Sequence, residues 1–198
     1  MPITNCFAEI NKSIAMDCSH PLVGGYTGRA LLIKFEDDPT LTINSANPRT
    51  LEGVTLASGK KAIAISNIIA SPFNGSATSG NQDSGRVMFD KSFAVRIPLR
   101  GSDNSKNVVE ALVNSAQGYL LIAEKKDKVG NGSFEVAGLQ VAMRVTDPTT
   151  VTRNEYENGG DVLMTISTQE SWFEESFYLT SYSATKALFD TLWNGAEA

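Results

Sequence analysis

The sequence is short of the residues that most active-site chemistry needs. Among 198 residues there is one histidine, with two cysteines, so most metal-ligand sets and nucleophile–base constellations cannot be assembled. No metal and no cofactor is expected, and the chain does not read as an enzyme. Basic residues are outnumbered, 17 Lys and Arg against 22 Asp and Glu, which argues against a protein that grips nucleic-acid phosphates over a broad surface. Long hydrophobic runs are missing too. The best of them, Ala62 to Ala70, is far too short to span a bilayer, so no membrane partner is expected. The start, Met1-Pro-Ile-Thr-Asn-Cys6, has neither the basic region nor the apolar run of a signal peptide. Synthesis in a cytoplasm follows, and there Cys6 and Cys18 read as small buried hydrophobes rather than a disulfide.

What is present is ordinary globular material. A 41% hydrophobic content with 16 glycines and 7 prolines excludes collagen-like, mucin-like and disordered chains, and the length suits a single domain over residues 1–198. Period two dominates. Phe93, Val95, Ile97 and Leu99 alternate with mixed residues, which predicts a half-buried strand. Similar patterns predict strands over 29–36, 60–70, 119–125, 133–141 and 161–168, the last with Val162, Met164 and Ile166 on one face. Glycine-rich turns at 23–28, 129–133 and 158–161 separate them, the last two as hairpin ends. The fold expected is mainly β, a sandwich or partly closed barrel.

Two segments switch to helical period. Val108, Val109, Leu112 and Val113 form one stripe within 104–115, predicting a short helix on the sheet. Near the C-terminus Ser183 caps a predicted helix over about 183–193, with Ala184, Ala187, Leu188, Thr191 and Leu192 as its stripe and Asn194-Gly195 as its stop. The stretch from Ser71 to Gly85 follows neither period and holds one aromatic among small polar residues. It reads as a long projecting loop that orders on contact with a partner. Charge is uneven: from Asp147 onward nine acidic residues face two basic ones, whereas the first 146 residues carry a small positive excess.

Candidate chemistry is thin. His20, in Asp17-Cys18-Ser19-His20-Pro21, has possible nucleophiles only one or two residues away, and such neighbours rarely meet in catalytic geometry. A His-Pro turn explains the letters better. Cys6, Cys18, His20 and Asp17 match no standard zinc spacing. The glycines at 24, 25 and 28 precede a strand, whereas phosphate loops follow one. Glu170, Glu174 and Glu175 flank Trp172 and Phe173, a mix compatible with a sugar cleft but equally with an aromatic strand bearing exposed acids.

The order of elements carries a resemblance. A helix, Lys106-Asn-Val-Val-Glu-Ala-Leu-Val-Asn-Ser115, leads into the strand Gly118-Tyr-Leu-Leu-Ile-Ala-Glu-Lys125. Phe134-Glu-Val-Ala-Gly-Leu139, a reversal through Asn158-Gly-Gly160, and Val162-Leu-Met-Thr-Ile166 running on to Glu170 complete the layout. With the opening Asp17-Cys-Ser-His-Pro-Leu-Val-Gly-Gly25 and Ala30-Leu-Leu-Ile33, it resembles the tail-tube-like structural proteins of bacteriophages, those of Bacteroidota phages in particular. The resemblance implies a virion protein of tail or neck. Its copies would close into a ring around a channel for transient, non-specific passage of double-stranded DNA, beside other tail or portal-proximal proteins. An acidic lumen would repel phosphate and let DNA slide. The candidate lumen acids are Glu155, Glu157, Asp161, Glu170 and Glu174, with Glu175 turned away by strand alternation. The candidate inter-subunit loop residues are Phe73, Asn74, Gln82 and Arg86. The alternative is a carbohydrate-binding or adhesin-like sandwich, using Trp172, Phe173, Tyr178, Tyr182 and Trp193.

Overall fold

Two strands that each carry a continuous apolar run dictate the architecture. Ala30-Leu-Leu-Ile33 lies in β1 (Tyr26–Lys34), and Tyr119-Leu-Leu-Ile-Ala123 in β7 (Tyr119–Lys125). Both runs are buried along their whole length. Side chains of a strand alternate between faces, so a continuous apolar run has to be covered on both sides. The computed structural model, which describes residues 25–66, 76–81, 88–97, 105–145, 152–153 and 162–197, supplies those two covers.

The remaining strands are β2 (Thr40–Ile43), β3 (Thr50–Thr55), β4 (Ile63–Ser66), β5 (Ser76–Asn81), β6 (Met88–Ile97), β8 (Phe134–Ala137), β9 (Arg144–Val145), β10 (Thr152–Arg153), β11 (Val162–Glu170) and β12 (Glu175–Phe177). A seven-stranded sheet runs β2-β3-β12-β8-β7-β1-β4, and a five-stranded one runs β10-β11-β6-β5 with β9 also against β11. All pairs are antiparallel except β12 with β3. The result is mainly β, a sandwich and not a closed barrel. Helical turns Ser105–Glu110 and Ala111–Val113 together make α1, and Tyr182–Glu197 makes α2.

One core lies between the sheets: Ala30, Leu32, Leu121 and Ala123 from the larger sheet meet Phe93, Val95, Met164 and Ile166 from the smaller one, with Leu112 of α1 at its margin. The second lies on the other face of the larger sheet, where Leu31, Ile33, Leu120, Ile122 and Phe134 pack on Phe189 and Trp193 of α2. The order is therefore sheet, sheet, helix. Glu36 pins the turn between α1 and β7 by accepting from Ser115 Oγ at 2.9 Å and from the backbone N–H of Ala116 at 2.6 Å. Beyond that turn, Tyr119 and Met143 exchange backbone bonds of 2.9 and 2.8 Å. Two glycines make room for this bridge: a Cβ on Gly118 would lie 2.6 Å from Met143 O, and one on Gly138 2.5 Å from Tyr119 O, both at positive φ.

Several expectations need correction. The stretch from Ser71 to Gly85 is not loop throughout, because Ser76–Asn81 pairs with β6 over six positions. An edge strand needs its backbone hydrogen bonds more than an apolar face, so composition concealed it. Phe73, Asn74, Gln82 and Arg86 lie outside the described residues, as does the turn at 158–161. The cap of α2 is Ser181, whose Oγ accepts from the N–H of Ala184 at 3.2 Å, and the helix runs through Asn194-Gly195 to Glu197. Its buried seam is Thr185, Phe189 and Trp193; Leu188 and Leu192 of the expected stripe pack partly against the same core, while Ala187 and Thr191 face solvent. The two large aromatics carry more burial energy than the small residues that matched the period.

Candidate functional site

Of the expected lumen acids, Glu170 and Glu174 lie among the described residues, and they sit in different surroundings. Glu155, Glu157 and Asp161 lie outside the described residues. Glu170 is buried completely in an ion pair with Lys91, which excludes it from a solvent-lined channel. Glu175 was expected to turn away, yet it meets the same lysine. Strand parity fails between them because Ser171–Phe173 is a turn joining β11 to β12. Glu174 is exposed and is held by Lys125, which also lies 3.3 Å from Glu135. Lys125 keeps a raised pKa: burial works against its charge, but Glu174 and Glu135 outweigh it.

A second charged cluster joins α2 to the larger sheet. Glu124, buried on β7, accepts from Arg29 Nη2 at 2.6 Å, Arg29 Nε at 2.9 Å, Thr27 Oγ1 at 3.0 Å and Tyr182 Oη at 3.3 Å. Arg29 also reaches Asp190 at 2.9 Å, and its guanidinium lies over the rings of Phe189 and Trp193 at 5.3 and 5.5 Å. Burial opposes the charge on Arg29, but the bonds to Glu124 and Asp190 outweigh it and raise its pKa. Burial likewise pushes Asp190 up, while Lys186 and Arg29 pull it further down, leaving it below the usual carboxylate range. Tyr182 is raised by burial and by neighbouring Glu124. Every acid here has a cation, so the cluster reads as a clamp that docks the helix.

Surfaces available for contact lie elsewhere. At the β11–β12 turn, Gln140 Oε1 accepts from the Ser171 N–H at 2.8 Å and from its Oγ at 2.9 Å, which fixes the turn. The turn presents Phe173, 59% exposed, edge-on to Phe89 at 5.5 Å. Val141, next to Gln140, is exposed as well. Across the larger sheet, β2 is an outer strand with Thr40, Thr42 and Ile43 exposed, and β5 ends the smaller sheet among the described residues. Of the aromatics considered for sugar binding, Trp193 is buried, Tyr182 stacks on Phe134 at 5.9 Å, and Trp172 has the Arg49 guanidinium over its ring at 5.8 Å. Only Phe173 among those five is exposed.

Cys6, Cys18 and His20 lie outside the described residues, and no cluster of His, Cys, Asp or Glu among the described residues is arranged to hold a metal. Sequence reading missed Lys91 and Arg29. Lys91 was findable, because carrying the alternation of Phe93, Val95 and Ile97 back by one step places a lysine on the apolar face. Comparison with known proteins finds no matching family model, no matching curated protein and no matching solved structure.

Proposed function

We propose that the chain is a structural protein of a bacteriophage virion, of the tail-tube kind, whose copies join edge to edge into a ring of the tail or neck. The ring surrounds a channel through which double-stranded DNA passes without being held, and its faces meet other tail or portal-proximal proteins. The observation that supports this reading best is the open edge of a well-packed sandwich. β2 leaves the outer backbone of the larger sheet without a partner strand among the described residues and carries the exposed Ile43. Free edges invite strand addition, and closed rotational symmetry gives each one a partner without open-ended growth. The ordered, apolar turn at Phe173 adds a second contact of the kind that interfaces bury.

The test is the mass and shape of the purified chain, by sedimentation and electron microscopy over a range of concentrations. Rings or short tubes are expected. Ile43→Lys, which places a charge on the exposed edge, should leave the circular dichroism spectrum intact and shift assemblies toward monomer. A wild-type chain that stays monomeric at every concentration and binds glycans on an array favours the adhesin-like module and overturns the ring.

A further inference from the structure

One ammonium and two carboxylates are buried together between the sheets. Lys91 is on the inner face of β6, Glu170 ends β11 and Glu175 opens β12. The lysine side chain is 2% exposed and both glutamates 0%. Lys91 Nζ donates to Glu170 Oε2 at 2.8 Å and is in contact with Glu175 Oε2. The two acids are held differently. Glu170 Oε1 accepts from the backbone N–H of Gln140 at 2.9 Å and more loosely from that of Val141 at 3.5 Å. A proton on Glu170 therefore belongs on Oε2, the oxygen that faces the amine. Glu175 Oε1 is buried with no hydrogen-bond partner among the described residues.

As an ion cluster this arrangement is poor. Fully ionised, it sets two negative charges against one positive away from water and leaves a carboxylate oxygen unsatisfied, each of which costs stability. As a set of reactants it is well placed. An amine becomes a nucleophile on losing a proton, and Glu170 Oε2 stands within hydrogen-bond reach to take it. Holding amine and acid in fixed contact away from water supplies the proximity that the uncatalysed condensation lacks.

We propose that Lys91 and Glu175 condense into an intramolecular amide that ties the two sheets together, with Glu170 relaying the protons. Lys91 Nζ attacks Cδ of Glu175, the N–Cδ bond forms and the Cδ–Oε2 bond breaks. Oε2 leaves as water, carrying the two protons that the ammonium gives up, which pass through Glu170 Oε2. Glu170 ends in the state in which it began, and no oxidant, reductant or activated co-reactant is consumed. Glu170 is the base because backbone N–H donors hold it as a carboxylate, whereas Glu175 is the acid consumed because its charge is the poorly solvated one, with Oε1 lacking a partner among the described residues. The product removes one buried charge of each sign and links residues 84 positions apart. This inference is independent of the ring reading and stands or falls without it.

The test is intact-protein mass spectrometry of the full chain after denaturation, followed by sequencing of its protease digest. The mass is expected to fall short of the sequence mass by one water, with a branched peptide joining Lys91 to Glu175. In Glu170→Gln, linking should slow by about 10²-fold or more, with circular dichroism confirming that the variant is folded. A folded wild-type chain at its full sequence mass overturns the proposal, whatever the variant does. A branch at Glu170 in place of Glu175 overturns the assignment, and a Glu170→Gln chain that links as fast as wild type overturns the relay.

Discussion

At the scale of single residues, the structure is governed by a few charges that sit where apolar residues would be the simpler choice. Glu124 shows why such a charge persists: it accepts four hydrogen bonds from three residues, so its desolvation is offset. Removing it strands the partners rather than deleting one contact. Glu124→Ala is expected to destabilise the fold by about 2–3 kcal/mol, read from the midpoint of urea unfolding. Asp190 carries the pH dependence of the same clamp. Its pKa is lower folded than unfolded, so its contribution is complete above the unfolded value and is lost as pH falls through the folded one. Asp190→Asn should lower stability at neutral pH and flatten the acid limb of the stability curve below the ordinary carboxylate range. If the two chains lose stability in parallel through that window, Asp190 has no such role. Because Asp190, Lys186 and Arg29 are all partly exposed, the effect should shrink with added salt.

At the scale of elements, placement was set by which residues carried the most burial and not by which fitted a period best. In α2, Thr185 fastens the helix start by accepting from the Leu179 N–H at 3.0 Å and donating to Ser181 O at 2.8 Å. Phe189 and Trp193 continue the same line into the core. Leu188 and Leu192 of the expected stripe keep a partly buried place beside that line, while the small Ala187 and Thr191 lose theirs because their burial is worth little. The β8 end of the β7–β8 hairpin depends on space. At Gly138, φ is +92° and a Cβ would collide with a backbone oxygen that cannot swing aside. Gly138→Ala should therefore cost about 2 kcal/mol or more, and the amide of Met143, which donates to Tyr119 O, should exchange faster with solvent.

At the scale of the whole molecule, the larger sheet is the common wall of two cores. Its central strands β1 and β7 are covered by the other sheet on one face and by α2 on the other. Hydrogen exchange should therefore find its slowest amides in Leu31–Ile33 and Leu120–Ile122, with β2 and β5 among the fastest strands, since outer strands open without disturbing either core. Slow exchange confined to the smaller sheet would contradict that hierarchy.

The sequence by itself determined the β class, the long central strands and the existence of both helices. Runs such as Ala30–Ile33 and Leu120–Ala123, and the alternation of Val162, Met164 and Ile166, have one economical way to leave water. Legibility failed for β5 and β12, because a strand of small polar residues and one of three residues are held by their neighbours' backbones and leave no periodic trace. It failed for the acids for a related reason. Parity along a chain holds only while the strand lasts, and the turn at 171–173 brought Glu170 and Glu175 onto one lysine that lies about 80 positions earlier in the chain. Which charges meet, which are buried and which edges stay open were decided by the tertiary structure alone. Contacts between distant segments depend on how the sheets stack, and no local pattern encodes that stacking.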